Sequence, residues 1–271
     1  MGLESRFGWH GFSFSHPDDW APVSLTGNRR EGYARLASPD RTACQVRWQR
    51  VQNPEGLRER LDVYLKRLSR DAKRAKQTLR STIRQEGGRL VYHWTGQGQG
   101  RGTLFFDPKT ERIFFLEVNG ERKASLLPIA RRLNESFHVG EKEGREFWSV
   151  FGLGVWIPAG AKLEGRRFES GRTRLMFRRG AAKIQAERWA FGRQLIDRHG
   201  FENWCRQALR LADFEAEAEP QGWVFRKPPK LGGLVGPQVV RVMFQEEANQ
   251  LVALRVRGWI RGGGPSWNWF A

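Results

Sequence analysis

The stretch GFSFSHPDDW, residues 11–20, decides the fold. Phe12 and Phe14 alternate with small polar residues, which is the period of two expected for a strand with one buried face. Pro17 ends the pattern because proline donates no backbone hydrogen bond. The stretch recurs as GLGVWIPAGA, residues 152–161, with Pro158 in the place of Pro17. The recurrence predicts two copies of one domain.

The spacing between the copies stays constant along the chain. At an offset of 141, Gly11 meets Gly152, Phe14 meets Val155 and Trp48 meets Trp189. A fixed offset over this distance indicates an internal duplication. We therefore predict a first repeat at residues 1–139 and a second at 147–271, joined by the short polar segment VGEKEGRE.

Each repeat combines strands with a helix. In the first, Leu57, Leu61, Leu65 and Leu68 have helical spacing, with Asn53 as the expected N-cap and a shorter closing helix at 125–137. In the second, residues 200–212 (GFENWCRQALRLA) predict one helix, and no closing helix follows. The expected fold is α+β, with two tandem domains that each have one long helix packed on an antiparallel sheet.

The glycine-rich segment TGQGQGRGT, residues 95–103, resembles a phosphate-binding loop in composition. Such loops lead from a strand into a helix whose N-terminus holds the anion. Here another strand follows, so we interpret the segment as a mobile hairpin loop.

The composition argues against a membrane-spanning, an exported or a disulfide-rich protein. The chain has 271 residues, no apolar run of membrane-spanning length and no basic and then apolar leader at its start, so we expect a cytoplasmic protein. Cys44 and Cys205 lie far apart in segments that predict a strand and a helix. We expect two buried free thiols and neither a disulfide framework nor a cysteine metal site.

The sequence offers little for catalysis. None of its five histidines is spaced three or four residues from another, and no nucleophile with a nearby base stands out. We expect no enzyme, no catalytic residues, no bound metal and no cofactor.

The charge is the extreme property, with a formal net charge of +18 and a pI near 11.0. Such a field attracts polyanions, including nucleic acids and acidic proteins. Two clusters are candidates for polyanion or partner binding. The first, on the long helix, is Lys66, Arg67, Arg70, Lys73, Arg74 and Lys76. The second, on a hairpin, is Arg166, Arg167, Arg172, Arg174, Arg178 and Arg179. The alternative for both is an ordinary solvated surface.

The chain ends in SWNWFA after three glycines. Trp267, Trp269 and Phe270 are too apolar to remain in water. They either fold back to cover the surface left open by the missing closing helix, or form a docking tail for a partner.

The aromatic, small, aromatic start with Pro17 and Trp20, the β-rich middle with one long helix, and the closing helix ending in Ser136-Phe137 resemble the PsbP-like superfamily. This group includes the photosystem II extrinsic protein P, the Ran-binding Mog proteins and DcrB-type domains. The resemblance implies an adaptor or assembly protein. We expect a binding or scaffold module that acts as adaptor or chaperone for an acidic protein partner, the alternative being a nucleic-acid-binding protein.

Overall fold

The computed structural model describes residues 4–229 and 236–258. The chain divides into two compact units, Met1–Lys142 and Glu143–Ala271. Strands account for 54% and helices for 18% of the described residues, and the neighbouring strands within each unit pair in antiparallel fashion. No helix among the described residues is long and apolar enough to cross a membrane.

The first unit contains a hairpin, a seven-stranded sheet and two helices. The hairpin strands are β1 (Glu4–Trp9) and β2 (Phe12–Pro17), and β10 (His138–Val139) pairs with β2. The sheet strands are β3 (Ala21–Gly27), β4 (Glu31–Ala37), β5 (Ala43–Arg50), β6 (Arg80–Glu86), β7 (Arg89–Thr95), β8 (Gly98–Asp107) and β9 (Arg112–Glu121). The helices are α1 (Leu57–Arg74) and α2 (Leu126–Ser136).

The sheet of the first unit has the strand order β3-β4-β5-β9-β8-β7-β6 and two different faces. On one face, Trp48 and Phe114 contact Phe12 of the hairpin, at ring distances of 5.1 and 5.7 Å. On the other face, Leu61 and Leu65 of α1 are buried in a core with apolar side chains of β7, β8 and β9. Successive side chains of β5 and β9 point to opposite faces of the sheet. One face therefore packs its aromatic side chains against the hairpin, and the other is covered by α1.

The second unit repeats this plan with different helices. Its hairpin is β11 (Arg145–Val150) and β12 (Leu153–Pro158). Its sheet strands are β13 (Lys162–Glu169), β14 (Arg172–Arg179), β15 (Ala182–Ala190), β16 (Glu215–Glu219), β17 (Gly222–Lys227), β18 (Gln238–Gln245) and β19 (Gln250–Arg257). They follow the order β13-β14-β15-β19-β18-β17-β16, the same as in the first unit. The helices are α3 (Gly192–His199) and α4 (Phe201–Leu209).

The prediction that each domain has one long helix on its sheet is wrong. In the described part of the second unit, α3 and α4 have 8 and 9 residues and meet at Gly200, which has a φ of 72°. A glycine adopts this left-handed value without the clash of a Cβ, so the chain stops one helix there and starts another. The first unit does have an 18-residue helix, but it begins at Leu57 after Gly56. Asn53, the predicted N-cap, instead accepts a bond from the backbone N–H of Glu55.

The constant offset also fails in the third sheet strand. Trp48 contacts the hairpin face, whereas Trp189 lies on the helix face, 5.1 Å from the ring of Trp204. The hairpin anchors give a better correspondence. Arg112 donates to the carbonyl oxygens of His10 (2.8 Å) and Gly11 (3.3 Å), and Gln250 donates to that of Gly152 (3.1 Å).

The outer strands of both sheets are irregular or charged. Bulges interrupt the pairing of β3 between Pro22 and Ser24, and that of β13 between Leu163 and Gly165. The other edges carry exposed ionic side chains, arginines on β6 and glutamates on β16. Proline, bulges and charges at an edge all oppose pairing with a further strand.

Cys44 and Cys205 are both buried free thiols. Burial raises the pKa of the Cys205 thiol to about 12 and raises that of Cys44 further. The thiolate, which is the nucleophile, is therefore disfavoured at both positions. The tail with Trp267, Trp269 and Phe270, and with it the question of a closing structure in the second repeat, lies outside the described residues.

Candidate functional site: a basic cleft above a buried carboxylate

A buried glutamate forms the floor of an open cleft beside α1. Glu117 of β9 is 1% exposed and accepts five hydrogen bonds. Its Oε1 atom accepts from two amides, Gln45 Nε2 (2.7 Å) and Asn119 Nδ2 (3.1 Å). Its Oε2 atom accepts from three aromatic side chains: the hydroxyls of Tyr64 (2.8 Å) and Tyr92 (2.8 Å) and Nε1 of Trp94 (3.0 Å). All five are neutral groups. Both oxygens of an ionised carboxylate are acceptors, so this arrangement satisfies Glu117 without using a cation.

Two glycines in β8 make this network possible. Tyr92 pairs with Gly102, and Gly102 pairs with Glu117 on the next strand, so the tyrosine has to reach across β8. A Cβ on Gly102 would lie 2.2 Å from the Tyr92 hydroxyl oxygen, and one on Gly100 would lie 2.3 Å from Trp94 Nε1. The segment 95–103, predicted as a mobile loop, is therefore mostly strand. Its glycines leave space for the two aromatic donors.

Gly102→Ala is expected to lower the free energy of unfolding by about 1–3 kcal/mol, the usual range for forcing extra volume into a packed site. The new methyl group would displace Tyr92 from Glu117. Gly96→Ala is the matched control because the nearest heavy atom of the described residues, the Thr78 carbonyl oxygen, would lie 3.4 Å from its added Cβ. Urea unfolding of both variants measures the difference. Equal stability of the two would show that β8 tolerates a side chain beneath Tyr92.

The two tyrosines of the network remain protonated and donate hydrogen bonds to Glu117. Burial, followed by the negative charge of Glu117, raises the pKa of Tyr64 and of Tyr92 well above the ordinary 10.0. Both hydroxyls therefore stay protonated at neutral pH. The floor of the cleft is a fixed hydrogen-bonded layer, not a group poised to exchange protons.

The rim of the cleft is strongly basic. The cleft has a volume of about 790 Å³ and is lined by six cationic side chains: Arg35, Arg41, Arg47, Arg67, Arg122 and Lys123. Three carboxylates, those of Asp71, Glu117 and Glu121, also line it. Among the described residues, none of the six cations has a carboxylate within 4.0 Å. The charge at the rim is therefore available to an external anion.

Arg47 has a special position on this rim. Its guanidinium lies 5.4 Å from the centroid of the Tyr33 ring and 6.0 Å from that of Tyr64. Cation–π contacts of this kind orient the guanidinium without neutralising its charge. Arg47 and Tyr64 also line a second, more apolar pocket of about 540 Å³ with Leu104, Ile113 and Phe115 among its walls. A basic cleft and an apolar pocket thus share one boundary.

The second unit uses the same sheet positions with the charges reversed. Glu117 and Arg255 each lie five residues after the first residue of their strand, β9 and β19. Arg47 and Glu187 lie on the neighbouring strand, each opposite the residue three after that start, so Glu187 corresponds to Arg47. Glu187 is 2% exposed and binds Arg172 (Nη2 at 2.6 Å) and Arg174 (Nε at 3.0 Å). Arg172 and Arg174 are therefore paired with a carboxylate, unlike the six cations that line the cleft of the first unit.

The predicted first cluster lies on and just after α1, fully on its exposed side. Of its six residues only Arg67 lines the cleft. Arg74 forms an exposed ion pair with Asp71 at 3.5 Å. Lys66, Arg70 and Lys73 extend the basic surface along the helix, and Lys76 follows its end.

The predicted second cluster lies on β13 and β14 of the second unit. Arg172 and Arg174 bind Glu187 as described, Arg167 binds Glu169 at 2.7 Å, and Arg178 binds Glu164. Arg166 and Arg179 complete the cluster on the same two strands. Most of these guanidinium groups therefore already have a carboxylate partner, and their role in binding stays a prediction.

Sequence reasoning missed most of the cleft. Arg35, Arg41, Arg47 and Arg122 come from different strands and turns, and the sheet topology alone brings them to one rim. One pattern in the sequence did indicate a polar side chain on the α1 face. Arg47 stands between the apolar residues Val46 and Trp48, so in a strand it points to the opposite face from them. Among the described residues, no group of three or more His, Cys, Asp or Glu side chains is placed to hold a metal ion.

No protein-family model and no curated protein matches this sequence. Among solved structures, it is similar to cyanobacterial PsbP (CyanoP) from Synechocystis sp. PCC 6803, with a TM-score of 0.37, 13% identity, and coverage of 51% of this chain and 94% of that one. It is also similar to the apo structure of the T6SS immunity protein TplEi from Pseudomonas aeruginosa, with a TM-score of 0.34, 12% identity, and coverage of 97% and 89%. Neither likeness is close enough to carry a functional argument.

Proposed function

We propose that this protein is a non-enzymatic binding module, an adaptor or chaperone that holds an acidic segment of a protein partner in the cleft of its first unit. One observation carries the proposal: six cationic side chains surround the cleft, and within the described part of the chain none has a carboxylate within 4.0 Å. Unpaired arginines bind carboxylates through two parallel hydrogen bonds. The buried Glu117 leaves them free because neutral donors satisfy it.

The neighbouring apolar pocket indicates that the partner segment also carries an apolar side chain. Arg47 and Tyr64 separate the basic cleft from apolar walls that include Leu104 and Phe115. A segment that places carboxylates in the cleft and one apolar side chain in the pocket would use both surfaces. Such a combination of a buried anchor and charged contacts is typical of specific peptide recognition.

Nucleic acid is the second candidate, favoured by the row of exposed cations on α1. Against it, Asp71 and Glu121 lie on the same rim and would repel a continuous chain of phosphates. The two candidates differ in salt dependence. Binding of duplex DNA weakens with a slope of about −0.9 per neutralised phosphate in a plot of log K against log salt.

The test is titration of the full chain with a short peptide of aspartate, glutamate and one leucine. Arg47→Gln and Arg67→Gln are each expected to weaken binding about tenfold, since a hydrogen bond to a charged group contributes about 1.5 kcal/mol. Arg178→Gln, which alters an arginine already paired with Glu164, is the matched control.

The same variants are titrated with single-stranded and duplex DNA. Tighter binding of DNA than of the peptide, with the same loss in Arg47→Gln, would favour the nucleic-acid candidate. Unchanged binding of both ligands in the Arg47 and Arg67 variants would contradict a role for the cleft.

We further propose that the chain is a tandem duplication of a PsbP-like domain. The identical strand order of the two sheets and the corresponding anchors Arg112 and Gln250 support this origin. After duplication, the first unit would have kept its rim arginines unpaired for a partner. The second would have neutralised the equivalent face with Glu187.

A further inference from the structure

A second cleft lies on the opposite face of the first unit's sheet, between α2 and strands β6, β7 and β8. Its volume is about 750 Å³. The polar side chains that line it include six from three strands and one helix that can donate hydrogen bonds to an anion: Thr82, Arg84, His93, Arg101, Thr103 and Arg131. It shares none of the cationic residues of the first cleft.

The strand register places these side chains close together. Thr82 pairs with His93, and His93 pairs with Arg101, so the three form one row across β6, β7 and β8. Arg84 and Thr103 stand in the next row along, both opposite Val91. Neighbouring strands lie about 4.8 Å apart, so arginine side chains on β6 and β8 can reach a common point above His93.

The charges of this cleft are unbalanced toward positive. Among the described residues, Arg84, Arg101 and Arg131 have no carboxylate within ion-pair distance. The guanidinium of Arg89 lies over the Phe105 ring at 4.5 Å. Glu86 and Glu135 also line the cleft, which leaves four cations against two anions.

His93 adds a ring nitrogen without a hydrogen-bond partner among the described residues, at the centre of the row. This atom, Nε2, is shielded from solvent. Burial and then the charge of Arg101 lower the pKa of His93, and a hydrogen bond with Gln99 acts in the opposite direction. A bound anion would supply a counter-charge for Arg101 and would favour protonation of His93, so that Nε2 donates a hydrogen bond to it.

We infer that this cleft binds a phosphate monoester, through the guanidinium groups of Arg84, Arg101 and Arg131, the Nε2 of His93 and the hydroxyls of Thr82 and Thr103. The excess of two positive charges matches a phosphate dianion. Three terminal oxygens accept more hydrogen bonds than the two of a carboxylate, and the cleft offers donors from four elements. A phosphodiester carries one charge and has two free oxygens, so it fits less well.

The phosphate can belong to a small metabolite or to a phosphorylated side chain, and the cleft recognises the group common to both. The inference does not depend on the acidic-segment proposal, because the two clefts lie on opposite faces of the sheet. Loss of one activity would leave the other intact.

The test uses the full chain with ¹³C-labelled histidine and inorganic phosphate as the probe, at an ionic strength fixed with sodium chloride. The imidazole resonance of His93, assigned with His93→Gln, is expected to shift and saturate while the other four histidines stay in place. Arg101→Gln and Arg84→Gln are each expected to weaken binding about tenfold. Arg84 is exposed, so its variant retains the fold even if Arg101→Gln does not.

Two controls separate a site from general attraction. Arg80→Gln alters an exposed arginine of the same strand that does not line the cleft, and Arg47→Gln alters the first cleft. Both are expected to bind phosphate like the unmodified protein. A loss in Arg80→Gln equal to that in Arg84→Gln, or no shift of His93, would overturn the inference.

The source of the phosphate is tested with glycerol 3-phosphate and with a phosphoserine peptide and its serine form. Saturation of the His93 shift at a lower concentration by one of the two phosphorylated compounds identifies the source. Binding of the serine peptide as tight as that of its phosphorylated form, or tighter binding of a phosphodiester dinucleotide, would contradict recognition of a monoester.

Discussion

Replacement of Glu117 by leucine is expected to lower the free energy of unfolding by about 4 kcal/mol or more. Leucine has a similar volume but accepts no hydrogen bond, so five buried or half-buried donors lose their partner at once. Each buried donor left unsatisfied costs about 1–3 kcal/mol, and relaxation of the site recovers a part of the sum. Urea unfolding measures the change, and hydrogen exchange of β7, β8 and β9 assigns it to the first unit.

Glu117→Gln is the matched variant. The glutamine keeps one oxygen for the aromatic donors, and the amide groups of Gln45 and Asn119 can rotate to present oxygen to its new NH₂ group. We therefore expect a loss of only about 1–2 kcal/mol. If leucine and glutamine destabilised the protein equally, the hydrogen bonds to Glu117 would not be what stabilises this face.

Replacement of Arg112 by leucine is expected to lower the free energy of unfolding by about 3 kcal/mol. Arg112 is 1% exposed, and its guanidinium satisfies the carbonyl oxygens of His10 and Gly11 at the turn of the first hairpin. Leucine would leave the His10 oxygen without its Arg112 donor, at about 1–3 kcal/mol. The Gly11 oxygen would lose one of two donors and keep the N–H of Gly140 at 2.9 Å, which costs about 1 kcal/mol. The turn of the hairpin would then lose its hydrogen bonds to the start of β9.

The second unit suggests a substitution that would restore part of the stability lost in Arg112→Leu. Gln250 occupies the corresponding position and donates to the carbonyl oxygen of Gly152. Arg112→Gln should therefore recover about half of the stability that Arg112→Leu loses. Exchange of the amide hydrogens in β1 and β2 reports attachment of the hairpin directly. Equal exchange rates in the two variants would show that the hairpin is held by its aromatic core alone.

Local sequence patterns predicted those parts of the fold that depend on local contacts. The alternation of Phe12 and Phe14 predicted β2, and the apolar spacing at 125–137 predicted α2, which extends over Leu126–Ser136. The helix of the second repeat was predicted as one element from its apolar spacing. It corresponds to α4, Phe201–Leu209, whereas α3, Gly192–His199, was not predicted. Gly200 separates the two helices because the backbone conformation there is favourable only for glycine.

The candidate site was beyond such patterns because its residues are distant in sequence. Glu117 resembles any solvent-facing residue of a strand in the segment RIFFLEV. Four of its five donors come from β5, α1 and β7, and only the pairing of β5, β9, β8 and β7 side by side brings them to it. The glycines at 100 and 102 were visible, but they resemble a loop unless the tyrosine and tryptophan that cross them are known.

The irregular sheet edges described above limit how a partner can be recognised. Many binding proteins capture an extended peptide as one more strand, and the affinity then comes from the main chain and depends little on the partner's side chains. Here Pro22 and the bulge close one outer strand of the first sheet, and the arginines of β6 oppose the same event at the other. A ligand must therefore be chosen by its side chains. The same features oppose edge-to-edge pairing of the seven-stranded sheets between copies of the protein, which is the contact that extended β-aggregates require.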